Sequence, residues 1–261
     1  MQKIYTGIQH LSRHLVALTT LSILALTLLL PATVQAATTQ LQRCAPGDLQ
    51  CIIAAGNQFI ANRQASLTTL SGKVTTQLNN HHITGDQANV LHSDVTTNQH
   101  GLSTLKTKLD AETNVQAARQ DVVNIFVQFR IYAVVLPRDY RRLYFDIEVN
   151  LDARLKSAEP RIQQAIKHAP PSKQAQLNKL FNDYQAQLAI AEAQFDHAQA
   201  DFPKLTPSNY NYNRSSYLAS LANLKASEQT AHNALVRAAN DLHQMVQIIK
   251  ASSTAASTAT S

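Results

Sequence analysis

Apolar residues along this chain recur at steps of three and four, and no stretch sustains the two-residue alternation of a half-buried strand. From residue 48 to about 80 the apolar face is Ile52, Phe59, Ile60, Leu67, Leu70, Val74 and Leu78. Asp48 stands where a side-chain oxygen can cap a helix start, and Asn79, Asn80, His81 and His82 end the pattern. Thr84-Gly85-Asp86-Gln87 reads as a capping box, with a hydroxyl at the cap and Gln three residues on. The second helix runs to about 112 through Leu91, Val95, Leu102, Leu105 and Leu109, with Gly101 as a weak spot. Asn114 is placed to cap a third helix.

Residues 122–136 of that third helix are apolar nearly all round, so the segment should sit centrally, covered on several sides. Pro137 predicts a break or kink there. A fourth helix follows to about 168 through Leu143, Leu155, Ile162 and Ile166, kinked or restarted at Pro160 and ended by Pro170-Pro171. Two further seams alternate fours and threes without a slip. One runs from Leu177 through Phe181, Tyr184, Leu188, Ala191, Phe195 and Ala198 to Phe202. The other runs from Tyr217 through Leu224, Glu228, Ala231, Leu235 and Leu242 to Ile249. A Tyr- and Asn-rich link at 208–213 joins them and reads as an interhelix loop. The sustained seven-residue repeat predicts coiled-coil-like packing. The expected fold is all-α: elongated antiparallel helical bundles, one over 37–136 and one over 137–250, sharing a kinked central rod. Residues 251–261 read as a disordered tail.

Composition agrees with helix. Six Gly, no Trp and abundant Ala, Leu and Gln favour it. Only 15% of residues are charged, so Gln, Asn, Thr and Ser carry the polarity. That suits an extracytoplasmic surface.

Residues 1–36 hold Lys3 and Arg13 but no acids, then the apolar run 15–30, Pro31 and Val34-Gln35-Ala36. This is the layout of a cleavable secretory signal, with cleavage near Ala36 favoured over membrane anchoring because the run is short for a span. Without Lys3 and Arg13 the net charge of +6 falls to +4. So mild a balance excludes nucleic acid as the expected partner and leaves an unknown protein, a wall polymer or peripheral membrane contact. Cys44 and Cys51, the two cysteines of the chain, flank a Pro-Gly turn and should pair in an oxidising compartment.

Catalytic signatures are missing from the sequence: no phosphate-cradling Gly-rich loop, no Gly-x-Ser-x-Gly and no His-Glu-x-x-His. The expectation is a non-enzyme with no catalytic residues, no cofactor and no metal. Four places still carry a sharper reading. His81, His82, His92 and Asp86 gather around one turn, where a solvated turn competes with metal binding. Glu228 interrupts the last seam, with His232, Glu192 and Asp196 expected nearby; a register-setting carboxylate competes with a metal site. Arg138, Arg141 and Arg142 stand with Tyr140 and Tyr144 beside the most apolar segment. They form a candidate membrane or anion patch, set against a role in covering the core with their apolar stems. Finally, the 208–213 link could present Tyr and Asn to a ligand.

The phrase Phe129-Arg130-Ile131-Tyr132-Ala133-Val134-Val135-Leu136-Pro137, set between two heptad-rich halves, resembles a loose group of exported bacterial helical proteins of uncharacterised function. The resemblance implies an exported all-α protein and carries no activity. The functional expectation is a structural or interaction module of the cell envelope or exterior, with a membrane-active protein inserting residues 122–136 as the alternative. Heptad seams serve bundles within and between chains equally, so they imply no oligomeric state.

Overall fold

The computed structural model describes residues 44–258, with side chains to Ser252. The signal-peptide reading and its cleavage point lie outside them. Of the described residues 89% are helical and none is in a strand, so the all-α expectation holds.

The chain forms helices α1 (Leu49–Asn79), α2 (Gly85–Asp110) and α3 (Val115–Val127), then a π-helical turn (Ile131–Val135). After it come α4 (Leu136–Lys167), α5 (Pro171–Asp201), a 3-10 turn (Phe202–Lys204), α6 (Pro207–Tyr212) and α7 (Arg214–Thr258). Short polar side chains set the starts. Asp48 accepts from the Cys51 N–H, and Thr84 and Gln87 form the reciprocal capping box. Asn114 accepts from the N–H groups of Gln116 and Ala117.

Prolines act differently from expectation. Pro137 lies in the first turn of α4, directly after the π-helical turn, and the chain stays helical through it. The break comes earlier, at Arg130, which adopts the left-handed conformation (φ 48°, ψ 35°). Pro160 sits inside α4, which continues through it. The 208–213 link is a short helix rather than a loop, because Thr206 caps it and Pro207 is preset for its first position. Helix α7 runs on to Thr258, into the stretch expected to be a tail; Ala and Ser there need no apolar stripe to follow the helix already formed.

Two compact units divide the chain, and neither is contiguous. The first holds the chain up to Ile147 together with Ala200–Ala222; the second holds Glu148–Gln199 and the chain from Asn223 onward. A cut at 136/137 is therefore displaced. The start of α4 packs into the first core through Leu136 and Leu143, and residues 200–222 are bonded to it through Arg138 and Arg130.

In the first unit α1 packs against α2 and α3. Its core includes Ile60, Leu67, Leu91, Leu102, Val122 and Ile131. The segment 122–136 is covered unevenly, closely over 131–136 and on one face before that. Ile125, Val134 and Val135 are buried, whereas Val123 and Val127 are exposed. In the second unit every expected seam position of α5 from Leu177 to Ala198 is buried, as are Leu224, Ala231, Leu235, Ala238 and Leu242 of α7. Tyr184 is fully buried and donates its hydroxyl to the Leu155 carbonyl at 2.7 Å, joining α5 to α4.

Candidate functional site

Cys44 and Cys51 form a disulfide whose Cα atoms are 5.6 Å apart. It closes the turn through Gly47 beside the Asp48 cap. Pairing of the two cysteines fits the sequence expectation.

The histidines around the α1–α2 turn are not brought together as ligands. His82 bonds Gln77 at 2.7 Å, and His92 bonds Ser71 at 3.0 Å and Thr75 at 3.4 Å. Asp86 lies in the first turn of α2, where a carboxylate favours the helix start.

The α7 candidates are likewise separated. His232 takes Glu148 of α4 as its partner, Nδ1 to Oε1 at 2.8 Å, and that hydrogen bond holds its imidazolium to a higher pH than usual against the opposing effect of burial. Glu192 pairs with Lys156 at 3.0 Å, and Asp196 is exposed. Glu228 is half-buried, while its neighbour Ser227 takes the buried position. No group of three or more His, Cys, Asp or Glu that could hold a metal ion occurs among the described residues.

The arginine patch at the start of α4 is largely turned inward. Arg138 binds Asp94 of α2 through Nη2, Asp139 through Nε at 2.7 Å, and the Leu205 carbonyl at 3.3 Å. Arg142 binds Asp146 at 3.0 Å and lies over the rings of Phe202 and Phe145. Arg141, Tyr140 and Tyr144 are half-buried. Of the two roles open to these residues, the engagement inside the unit speaks against a membrane or anion patch: α2 supplies Asp94 and α4 supplies Asp139 and Asp146, so two of the three guanidiniums are spent on internal carboxylates. Asp139 and Asp146 are 2% and 1% exposed. Burial pushes Asp139 up to about 7, with Arg138 opposing and Asp94 adding to the rise. Burial likewise pushes Asp146 up to about 6, opposed by Arg142.

One feature escaped the sequence reading, and another was seen without its partners. Arg63 is buried in α1, donates to the Phe59 carbonyl at 2.9 Å, and lies 4.4 Å and 4.9 Å from the ring centres of Phe126 and Tyr132. Burial lowers its pKa. Its position, four residues after Phe59 and four before Leu67, put it in the apolar stripe, which was the available signal. The second feature lies around α6. The guanidiniums of Arg130 and Arg214 both lie over the Tyr210 ring, at 5.0 Å and 4.7 Å from its centre, and Tyr217 meets that ring edge-on. Asn211 accepts from Arg130 Nε at 2.8 Å and donates to the Val127 carbonyl at 2.7 Å. Tyr212, next in the chain, is 85% exposed. The Tyr-Asn composition of 208–213 pointed here, but its partners come from residues some 80 positions away in sequence.

No family model, no curated protein and no solved structure matches this chain.

Proposed function

We propose that the protein is a non-enzymatic helical interaction module that works outside the cytoplasm, in the cell envelope or beyond it. One observation carries the reading. Arg138, Arg142, His232 and Glu192, the groups with most to offer chemistry, are engaged within their own units, while Arg130, Tyr210, Arg214 and the exposed Tyr212 gather at the surface of the first. Arg and Tyr are the residue types that protein and membrane interfaces favour. The Cys44–Cys51 disulfide is consistent with an oxidising compartment, as is the signal-like pattern of residues 1–36.

The alternative, insertion of 122–136 into a membrane, would require Ile125, Ile131 and Val135 to leave the core of the first unit. No helix among the described residues is long and apolar enough to cross a membrane.

Cell fractionation with thiol alkylation tests the proposal. The expected result is protein in the envelope or external fraction, with both cysteines blocked until reductant is added. Cytoplasmic protein with freely alkylated cysteines would overturn it.

A further inference from the structure

Arg130 and Arg214 differ from the other arginines of the first unit with stacked rings. Arg142 lies over aromatic rings and also holds a carboxylate; Arg63 is buried. Arg130 and Arg214 lie over Tyr210 near the surface, and neither has a carboxylate within ion-pair distance among the described residues. Stacking orients a guanidinium without neutralising it; apart from Arg130 Nε, which Asn211 takes, the N–H groups stay available to an anion.

Exposed apolar side chains stand on the same elements. Among the described residues, the first unit leaves five large apolar side chains exposed: Val90, Val123, Val127, Tyr212 and Leu218. The last four connect to the arginine pair. The Val127 carbonyl and Arg130 share the Asn211 amide, and Tyr212 follows Asn211. Val123 lies one helical turn before Val127, and Leu218 one turn after Arg214, each on the same helix face as its neighbour.

We propose that this surface docks on the anionic face of a lipid bilayer. The inference rests on the interaction-module reading and names its partner. A bilayer supplies both chemistries the surface lacks. Headgroup phosphates accept bidentate guanidinium bonds, and the acyl boundary a few ångströms below takes up Val, Leu and the body of a Tyr whose hydroxyl stays at headgroup level. The net charge of +4 that remains without Lys3 and Arg13 has the matching sign. A soluble acidic partner would answer the two charges without requiring protruding aliphatic side chains.

The chain has no Trp, so Tyr212→Trp places a single indole on the proposed surface. In the full chain its emission should shift to the blue with phosphatidylcholine vesicles containing phosphatidylglycerol, and brominated acyl chains should quench it. Phosphatidylcholine alone should give little of either. Val90→Trp, an exposed reporter on α2, should not respond. In the Tyr212→Trp background, Arg214→Gln should weaken partition roughly fivefold, and adding Arg130→Gln roughly 20- to 30-fold, from about 1 kcal/mol per cation at an anionic surface. Arg214 is exposed, so its substitution tests the charge without loosening the fold. An unchanged emission, an equal response at Val90→Trp, or unaltered binding by the arginine variants would overturn the proposal. So would the same shift with soluble polyglutamate, which would assign the surface to an acidic macromolecule. An external, disulfide-bonded protein whose reporter stays silent would sink this inference alone and leave the module reading standing.

Discussion

A β-carbon on Gly101 would stand 2.5 Å from Cε1 of Phe129 and 3.0 Å from its Cζ, so the ring occupies the space any other residue at 101 would need. Sequence alone marks Gly101 as a defect in α2. The structure makes it the seat of an aromatic side chain from the segment after α3.

Opposite signs should therefore appear at helical glycines. Gly101→Ala should lower the melting temperature despite the gain of about 1 kcal/mol in helix propensity, because the ring must move. In a Phe129→Ala background the same change should be stabilising. Gly56→Ala should cost about 1–3 kcal/mol, since its β-carbon would meet Leu109 and Val122 within 3 Å. Gly72→Ala, with open space around it, should stabilise by about 0.5–1 kcal/mol. Urea midpoints of the four variants decide the matter; equal effects at Gly101 with and without Phe129 would defeat it.

Buried carboxylates should make the first unit less stable as pH rises from about 4 to about 7. Asp139 and Asp146 hold protons in the fold up to about 7 and about 6, whereas an unfolded chain releases them near 3.8. In that window the folded state binds more protons, so raising pH favours unfolding, by on the order of a few kcal/mol. The Oδ2 atoms of both lack a hydrogen-bond partner among the described residues, which agrees with a cost for full ionisation. Asp139→Asn and Asp146→Asn should flatten the slope in melts at pH 4.5, 6 and 7.5. A slope identical to that of the wild-type chain would refute the assignment.

The His232–Glu148 pair should act with its own window. Its folded pKa is raised first by the hydrogen bond to Glu148, so its stabilisation is complete below the ordinary value of 6.5 and disappears as pH rises through the raised value. Glu148→Gln should cost about 1 kcal/mol at pH 5.5 and little at pH 9. An NMR titration of the His232 ring should then show its midpoint moving down; a midpoint that stays put would rule the pairing out.

Reduction of Cys44–Cys51 should have a modest, local cost. Closing so short a loop restricts the unfolded chain by about 2.5 kcal/mol, an upper figure for the loss in Cys44→Ser/Cys51→Ser. Hydrogen exchange should rise first in the opening turn of α1, where Asp48 caps. Uniformly faster exchange across the first unit would mean the disulfide does more than hold that turn.

Helix starts at Asp48, Thr84 and Asn114 were legible because caps are local: a short side chain bonds an N–H two or three residues on. The seam of α5 was legible because burial follows periodicity. Much of the candidate site was not. The Arg138 cluster left a membrane or anion patch and a core-covering role both open, since nothing near it in sequence announces Asp94, forty-four residues earlier. Glu228 looked like the seam's polar insertion; it is half-buried, and Ser227 beside it is buried as well.

What the sequence determined by itself was the all-α class, the capped starts, the facing apolar stripes and the pairing of two cysteines. These depend on neighbours within a turn or two of helix and on the burial of apolar area. Tertiary structure alone decided which charges are spent and which remain. Arg138 and Arg142 meet internal aspartates, Arg63 meets two rings, and Arg130 and Arg214 share Tyr210 without a carboxylate. Ion pairing and ring stacking act over a few ångströms, and those ångströms join residues that the chain itself holds tens of positions apart.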